Sequence, residues 1–245
     1  MANDPKIQDS LDDYIWGGYY IAKLATDYKK SNLVPDAIIT LSDCIAEFLP
    51  DSDWSIDWMS SAEEREKRAE KCGFPSAQRD AFVKWSTELM RVGKFGLPNV
   101  LLSMETATEL LRRFPFDRSE WHLLGAGLRK DEVDRFIALC APPTYQGQGQ
   151  DGVYEALVRK EQLHRSGRIL GYDVLGHEEY GGGFHSWFCN SLEEEVAEKL
   201  GIRPDHNGLL KTYAEAAACA QYAGDPDTHA EPASWNAWVL VDYPI

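Results

Sequence analysis

The stretch VYEALVRKEQLHRSGRILGYDVL, residues 153–175, decides our prediction of the fold. Its two ends, residues 153–159 and 169–175, are rich in the β-branched and aromatic side chains that favour strands. The polar segment between them contains Ser166-Gly167, which is typical of a turn. We therefore predict that the two ends pair as antiparallel strands.

Around this pair, the second half of the chain is predicted to mix strands and helices. Further strands are expected at residues 121–128, 184–189 and 235–243, and helices at residues 131–140, 192–200 and 213–222. The Pro-, Gly- and Gln-rich segment 141–152 is a predicted loop. Strands and helices do not alternate regularly, as they would in a parallel α/β sheet.

The first half is predicted to be helical, because its apolar residues recur at the three- and four-residue spacing of a helix face. The expected helices lie at residues 11–25, 34–48, 61–71, 76–92 and 106–113. The predicted fold class is therefore α+β, a helical N-terminal half followed by a mixed region with an antiparallel sheet flanked by helices. We place the boundary near Pro115, which gives a helical region at 1–115 and an α+β region at 116–245. The two regions can also form one continuous domain.

The composition describes an acidic globular protein. The 245 residues include 25 Lys plus Arg and 40 Asp plus Glu, so the formal net charge is −15. Such a surface repels phosphate backbones and anionic lipids, which argues against nucleic-acid and membrane partners. The N-terminus lacks the pattern of a secretory signal, and the five dispersed cysteines form no CxxC motif. We expect a cytoplasmic protein with buried, reduced thiols and no cofactor.

The histidines and cysteines suggest two chemistries, neither of which the spacing supports well. His177 and His185 are eight positions apart across three glycines, so they do not form an HExxH zinc motif, and nothing in the sequence fixes a third ligand. We predict no metal site; His177 is expected in a solvated loop, and His185 beside a buried polar group. Cys189 precedes the start of a predicted helix, and together with His185 it could provide a nucleophile and a base. No third group that would orient the base is evident in the sequence. We therefore assign no catalytic residue.

An acidic segment with two tryptophans is the strongest candidate for protein recognition. Aromatic residues rimmed by carboxylates can bind a basic protein, although they can equally form a solvated acidic face with the rings in the core. A second candidate is the glycine-rich loop that ends at His185. The predicted partner-binding residues are Asp51, Asp53, Trp54, Asp57, Trp58, His177, Glu178, Glu179, Tyr180 and His185.

The second half carries a set of strings that resembles a known group of bacterial proteins. The strings are LLGAGL (123–128), GVYEALVRKEQL (152–163), ILGYDVLG (169–176), GFHSWFCNSLE (183–193), GIRPDHNGLL (201–210) and W-x-x-W-x-x-x-x-Y-P (235–244). Over about residues 120–245, the chain resembles proteins that act as immunity partners in polymorphic-toxin systems. It departs from them at HEEYGGG (177–183), where a shorter aromatic-glycine turn is expected. The resemblance implies a bacterial cytosolic protein and brings no catalytic residues with it.

The function we predict is that of an immunity protein that binds a cognate, basic toxin and occludes its active site. An acidic partner gains association rate from electrostatic steering, and its carboxylates can stand in for phosphates in the toxin. This interpretation favours a binding protein over an enzyme. The alternatives are a small-molecule hydrolase that uses a Cys/His site around residues 185–189 and a non-catalytic ligand-binding domain. Association into a homodimer is also open.

Overall fold

The computed structural model describes residues 9–28, 31–52, 60–71, 73–115, 117–141, 151–178 and 183–245. An antiparallel sheet runs through these residues and takes strands from both halves of the chain. Its strands are β1 (Tyr14–Lys23), β2 (Glu47–Leu49), β3 (Phe95–Gly96), β4 (Val100–Leu101), β5 (Trp121–Arg129), β6 (Arg168–His177), β7 (Phe184–Ser186) and β8 (Ser234–Tyr243). The strand order is β3-β4-β1-β5-β8-β6-β7, and β2 pairs with β1 beside β4.

Helices surround the sheet, and two of them lie directly against its central strands. The helices are α1 (Ala62–Lys71), α2 (Arg79–Arg91), α3 (Met104–Arg113), α4 (Lys130–Leu139), α5 (Gly152–Val158), α6 (Glu193–Leu200) and α7 (Tyr213–Ala223). Short 3₁₀ turns at Leu11–Asp13 and Ser76–Gln78 precede β1 and α2. Helix α5 packs on β1, and α7 packs on β8 and β6. Within the described part of the chain, no helix combines the length and apolar composition needed to cross a bilayer.

The prediction of a helical N-terminal half is wrong. Residues 14–23 form β1, and residues 34–48 are mainly turns and extended backbone, with β2 only at their end. The reason is that β1 is buried on both faces. A doubly buried strand is apolar at nearly every position, so some of its residues also satisfy the spacing of a helix face. The chain is α+β, but strands come first and share their sheet with the second half.

The strand predicted at residues 153–159 is also wrong, because this segment forms α5. Asp151 caps the helix: its side chain accepts a hydrogen bond from the backbone N–H of Tyr154 (3.0 Å). The partner of β6 is therefore a different strand. Strand β6 pairs with β8 along its whole length. It also pairs with β7, in a register that places Gly176 opposite His185.

Candidate functional site

The described residues bring five polar side chains together at the end of the β6–β7 pair. His185 lies in β7, Glu178 follows β6, Cys189 lies in the turn after β7, and Glu231 precedes β8. The fifth, Cys44, comes from the turn before β2. We call this group the His185 cluster.

One backbone and two side-chain hydrogen bonds fix the turn of Cys44 against β7. The N–H of Asp43 donates to the carbonyl of Phe184 (3.0 Å), and the N–H of Phe184 donates to a carboxylate oxygen of Asp43 (2.9 Å). The N–H of Ser186 donates to Oγ of Ser42 (3.2 Å). These contacts join two segments that are 141 residues apart and place the Cys44 thiol beside His185.

Both nitrogens of the His185 ring have acidic or thiol neighbours. Nε2 lies 2.5 Å from Oε1 of Glu178, and Nδ1 lies 2.8 Å from Oε2 of Glu231. Nδ1 is also 3.4 Å from Sγ of Cys44 and 4.0 Å from Sγ of Cys189. The ring is mostly buried, with 16% of its side chain exposed, whereas about half of each carboxylate side chain reaches solvent. The cluster is thus open on its carboxylate side.

Asn190 orders the side of the cluster that carries Cys189 and Glu231. Its Oδ1 accepts from the N–H of Glu231 (2.8 Å), and its Nδ2 donates to Oε2 of Glu231 (3.3 Å). The same Nδ2 lies 3.5 Å from Sγ of Cys189. The carbonyl of Glu231 also accepts from Nε1 of Trp235 (3.1 Å). These bonds hold the loop before β8 next to β7.

The surroundings of the cluster raise the pKa of both of its thiols. Burial, the adjacent Cys44 thiol and the Glu231 carboxylate raise the pKa of Cys189 to about 12. Its Sγ donates to the carbonyl of Ser186 (2.9 Å). Burial, together with Glu231 and Asp43, also raises the pKa of Cys44 above its ordinary value. A thiol nucleophile needs a lowered pKa, so these thiols are not activated for nucleophilic attack.

A cleft of about 760 Å³ opens beside the cluster. Glu178 and Glu231 contact the His185 ring and also line the cleft. Asp225 adds a third carboxylate to the cleft wall. Leu139 and Trp235 provide apolar surface. No Lys or Arg occurs among the described residues that line it. The cleft is therefore suited to a cationic group.

A second group of polar side chains lies inside the protein, beneath the cluster. Nε2 of His177 is 3.2 Å from Oδ2 of Asp151, although neither ring nitrogen has a hydrogen bond of good geometry among the described residues. Burial is the largest single influence and opposes protonation of this ring, but Asp151 and Cys140 together outweigh it and raise the pKa of His177 to about 9. The rings of Phe136 and Phe184 enclose it edge-on. His177 is thus part of the core.

The structure places the predicted site residues in four different situations. Asp53, Trp54, Asp57, Trp58, Glu179 and Tyr180 lie outside the described residues. Asp51 is mostly buried and pairs with Arg68, whose Nη1 lies 2.9 Å from its Oδ2. His177 is fully buried at the end of β6, so the expectation of a solvated loop residue is wrong, and its side chain offers a partner no surface. Glu178 and His185 are joined in the His185 cluster.

Sequence reasoning missed Cys44 and Glu231. Cys44 was expected to be a buried thiol, as Cys140 and Cys219 are, but it is exposed. Neither residue stands in a motif, and only the tertiary contacts of Asp43 and Asn190 bring them to His185. The nearest signal was THAE, residues 228–231, in which a histidine and a glutamate precede β8.

Comparisons with known proteins add no relative to this picture. No protein-family model, curated protein sequence or solved structure matches the chain significantly. The resemblance to immunity proteins therefore stays a prediction that these comparisons do not test.

Proposed function

We propose that this chain is a cytoplasmic bacterial immunity protein that binds a basic toxin and occludes its active site. The acidic cleft beside His185 is the observation that carries the proposal. Glu178, Asp225 and Glu231 line it without a described Lys or Arg, so it attracts basic side chains.

The distribution of charge along the chain supports the same partner. Residues 168–245, from the start of β6 onward, contain 13 acidic and four basic side chains, which accounts for nine of the 15 excess negative charges. This part of the chain forms β6, β7, β8 and both loops that line the cleft. A field concentrated on one region steers an oppositely charged partner toward that region and raises the association rate.

The proposed mechanism is occlusion by charge mimicry. A toxin that cleaves or modifies nucleic acid binds phosphates through Lys and Arg in its active site. The carboxylates of the cleft take the place of those phosphates, and the Leu139 and Trp235 side chains supply apolar contact. This mechanism requires no catalytic group on the immunity protein.

Reversing one charge in the cleft is expected to weaken the complex. Asp225 is exposed and does not contact His185, so Asp225→Lys changes the charge of the cleft wall without touching the His185 cluster. We expect the Kd for the co-expressed product of the adjacent reading frame to rise by about tenfold or more at low salt. The difference from wild type should shrink as ionic strength increases. Surface plasmon resonance at low and high salt measures both effects.

The matched control is Asp80→Lys, which makes the same charge change at a carboxylate that is 92% exposed and remote from the cleft lining. It should change Kd by less than about threefold, since remote exposed charges are screened. Size-exclusion chromatography and rescue of the growth defect caused by the neighbouring gene establish the pair. A neighbour that is not toxic and does not co-elute would contradict the proposal.

One observation supports the alternative of a hydrolase, and another argues against it. Glu178 supplies the orienting carboxylate that the sequence could not identify, because it contacts Nε2 while the thiols face Nδ1. A raised pKa, as at Cys189, makes a thiol a poor nucleophile at neutral pH. This pKa, rather than the geometry of the cluster, favours binding over thiol catalysis.

A further inference from the structure

We propose that Cys44, Cys189 and His185 bind one zinc ion, with Glu231 as the fourth ligand. The site would link the turn before β2, strand β7 and the loop before β8. This inference does not depend on the identity of the toxin or on the immunity function.

The distances between the ligand atoms fit a tetrahedral zinc site. Sγ of Cys44, Sγ of Cys189 and Nδ1 of His185 all lie within 4.8 Å of one another. Zinc bonds of about 2.3 Å to sulfur and about 2.0–2.1 Å to nitrogen imply a tetrahedral S–N separation of about 3.6 Å. The two observed S–N distances, 3.4 Å and 4.0 Å, lie on either side of this value. Shifts of a few tenths of an ångström would complete the geometry.

Glu231 is placed to close the coordination shell. Its Oε2 is 2.8 Å from Nδ1 of His185, whereas two such ligands of one zinc ion stand about 3.4 Å apart. The half-exposed Glu231 side chain would have to move away from the ring to take the ligand position. The cleft adjoins Glu231, so the ion has a path from solvent.

The second shell also has the arrangement expected around a metal-bound histidine. Glu178 contacts Nε2 of His185 at 2.5 Å, so it can hold the ring proton on Nε2 once Glu231 leaves Nδ1 for the metal. Asn190, which is 9% exposed, places its amide group 3.5 Å from Sγ of Cys189. An amide donor near a thiolate sulfur stabilises the charge that the sulfur carries when it binds a metal.

The sulfur, nitrogen and oxygen ligands of the proposed site favour zinc over magnesium and calcium. Two cysteines, one histidine and one carboxylate are ligands that zinc takes in tetrahedral sites, whereas magnesium and calcium prefer oxygen ligands alone. The set is drawn from three segments that tertiary hydrogen bonds hold together. No CxxC or HExxH spacing is needed for it.

Cobalt substitution tests the site directly. Reduced full-length protein, stripped with a chelator and desalted under anaerobic conditions, is titrated with Co²⁺ and then with Zn²⁺. We expect tetrahedral d–d bands and a thiolate-to-cobalt charge-transfer band at one equivalent, both abolished by one equivalent of Zn²⁺. Cys44→Ser, Cys189→Ser and His185→Gln should lose the bands or weaken Zn²⁺ affinity by roughly 100-fold or more. Glu178→Gln should weaken the affinity by about 10–100-fold while keeping the charge-transfer band.

Cys219→Ala and His206→Gln are the controls and should bind Zn²⁺ as the wild type does. Cys219 is buried in the alanine-rich helix α7, and the side chain of His206 is 86% exposed. Far-ultraviolet circular dichroism of each variant verifies that it is folded. Absence of the charge-transfer band in the wild type would overturn the proposal. Retention of the band in folded Cys44→Ser and Cys189→Ser proteins would overturn it equally.

Discussion

Replacing Trp238 with Ala is expected to lower the free energy of unfolding by about 3–5 kcal/mol, as is typical when a large core aromatic is truncated. Trp238 lies in β8, between Leu128 of β5 and Asp173 of β6 in the strand register, and it is fully buried. Its ring meets the rings of Phe136 and Phe184 edge-on, with centroid distances of 5.6 Å and 5.0 Å. Truncation would leave a cavity where α4, β7 and the sheet meet.

The indole N–H of Trp238 moves the expected value toward the lower end of this range. Its Nε1 is buried and has no hydrogen-bond partner among the described residues. Removing an unsatisfied buried donor recovers about 1–3 kcal/mol, which offsets part of the lost packing. Trp238→Phe removes the same donor but keeps a ring, so it should cost less than about 1.5 kcal/mol.

Urea denaturation followed by both fluorescence and circular dichroism measures these changes. Coincidence of the two transitions is needed, since a chain of this length can unfold through intermediates. Leu200→Ala is the control, because Leu200 is 41% exposed at the end of α6 and should change stability by less than about 0.5 kcal/mol. A loss below about 1 kcal/mol for Trp238→Ala would show that β8 is not central to the core.

Local signals predicted those elements whose caps and periodicity agree. Helix α7 was expected at residues 213–222 and spans Tyr213–Ala223, and its start is fixed by a capping box between Thr212 and Glu215. Strands β5, β6 and β8 were also expected close to their observed positions. In these segments, side-chain pattern and tertiary environment favour the same structure.

The errors occur where tertiary structure overrides or imitates a local pattern. Strand β1 is buried between β5 on one edge and β2 and β4 on the other, and its aromatic residues imitate a helix face. In α5, the cap from Asp151 makes a seven-residue helix of a segment with β-rich composition. Neither the pairing partners of β1 nor the packing of α5 on β1 can be read from the local sequence.

In the candidate site, too, the residues that are close in sequence were predicted, and those that tertiary contacts bring in were not. Glu178 and His185 are seven residues apart, flank one hairpin connection, and were predicted to belong to one contact region. Cys44 reaches them only because Asp43 forms two hydrogen bonds with Phe184. Glu231 is held beside His185 by the hydrogen bond from its backbone N–H to Oδ1 of Asn190. Contacts across such sequence separations have no local signature, so the cluster becomes visible only in the folded chain.

Stability is expected to fall as the pH rises from about 4 to about 9, because three buried groups bind protons more tightly in the folded state. Burial raises the pKa of Asp43 to about 7, and the other two groups, Asp173 and His177, are the ones that variants test. Asp173 is almost completely buried and accepts hydrogen bonds from Oγ1 of Thr40 (2.6 Å) and from the N–H of Val174 (2.8 Å). Burial outweighs these bonds and raises the pKa of Asp173 to about 7. At His177 burial lowers the pKa, but the combined effect of Asp151 and Cys140 exceeds that of burial and raises the pKa to about 9.

Both groups change stability in the same direction. An Asp in the unfolded chain titrates near 3.9, so between about pH 4 and pH 7 the folded protein holds a proton that the unfolded chain releases. The stability that Asp173 contributes is therefore present below about pH 4 and is lost as the pH passes about 7. For His177 the contribution is present below about pH 6.5 and is lost as the pH passes about 9. Since a tenfold difference in proton affinity between the folded and unfolded states is worth about 1.4 kcal/mol, each loss is on the order of 3–4 kcal/mol.

Variants separate the two pH windows. Asp173→Asn is neutral throughout and can still pair with Thr40 and Val174, so its decline between about pH 4 and pH 7 should shrink to the part that Asp43 causes, and its stability should exceed that of the wild type at about pH 8. His177→Gln should remove the decline between about pH 6.5 and pH 9 while leaving the acidic window unchanged. His206→Gln, at an 86% exposed side chain, should follow the wild type. Free energies of unfolding measured across this pH range decide the matter. Curves for Asp173→Asn and wild type that run parallel would show that Asp173 is ionised in the folded protein, because the variant removes only the contribution of Asp173 to the slope in that window.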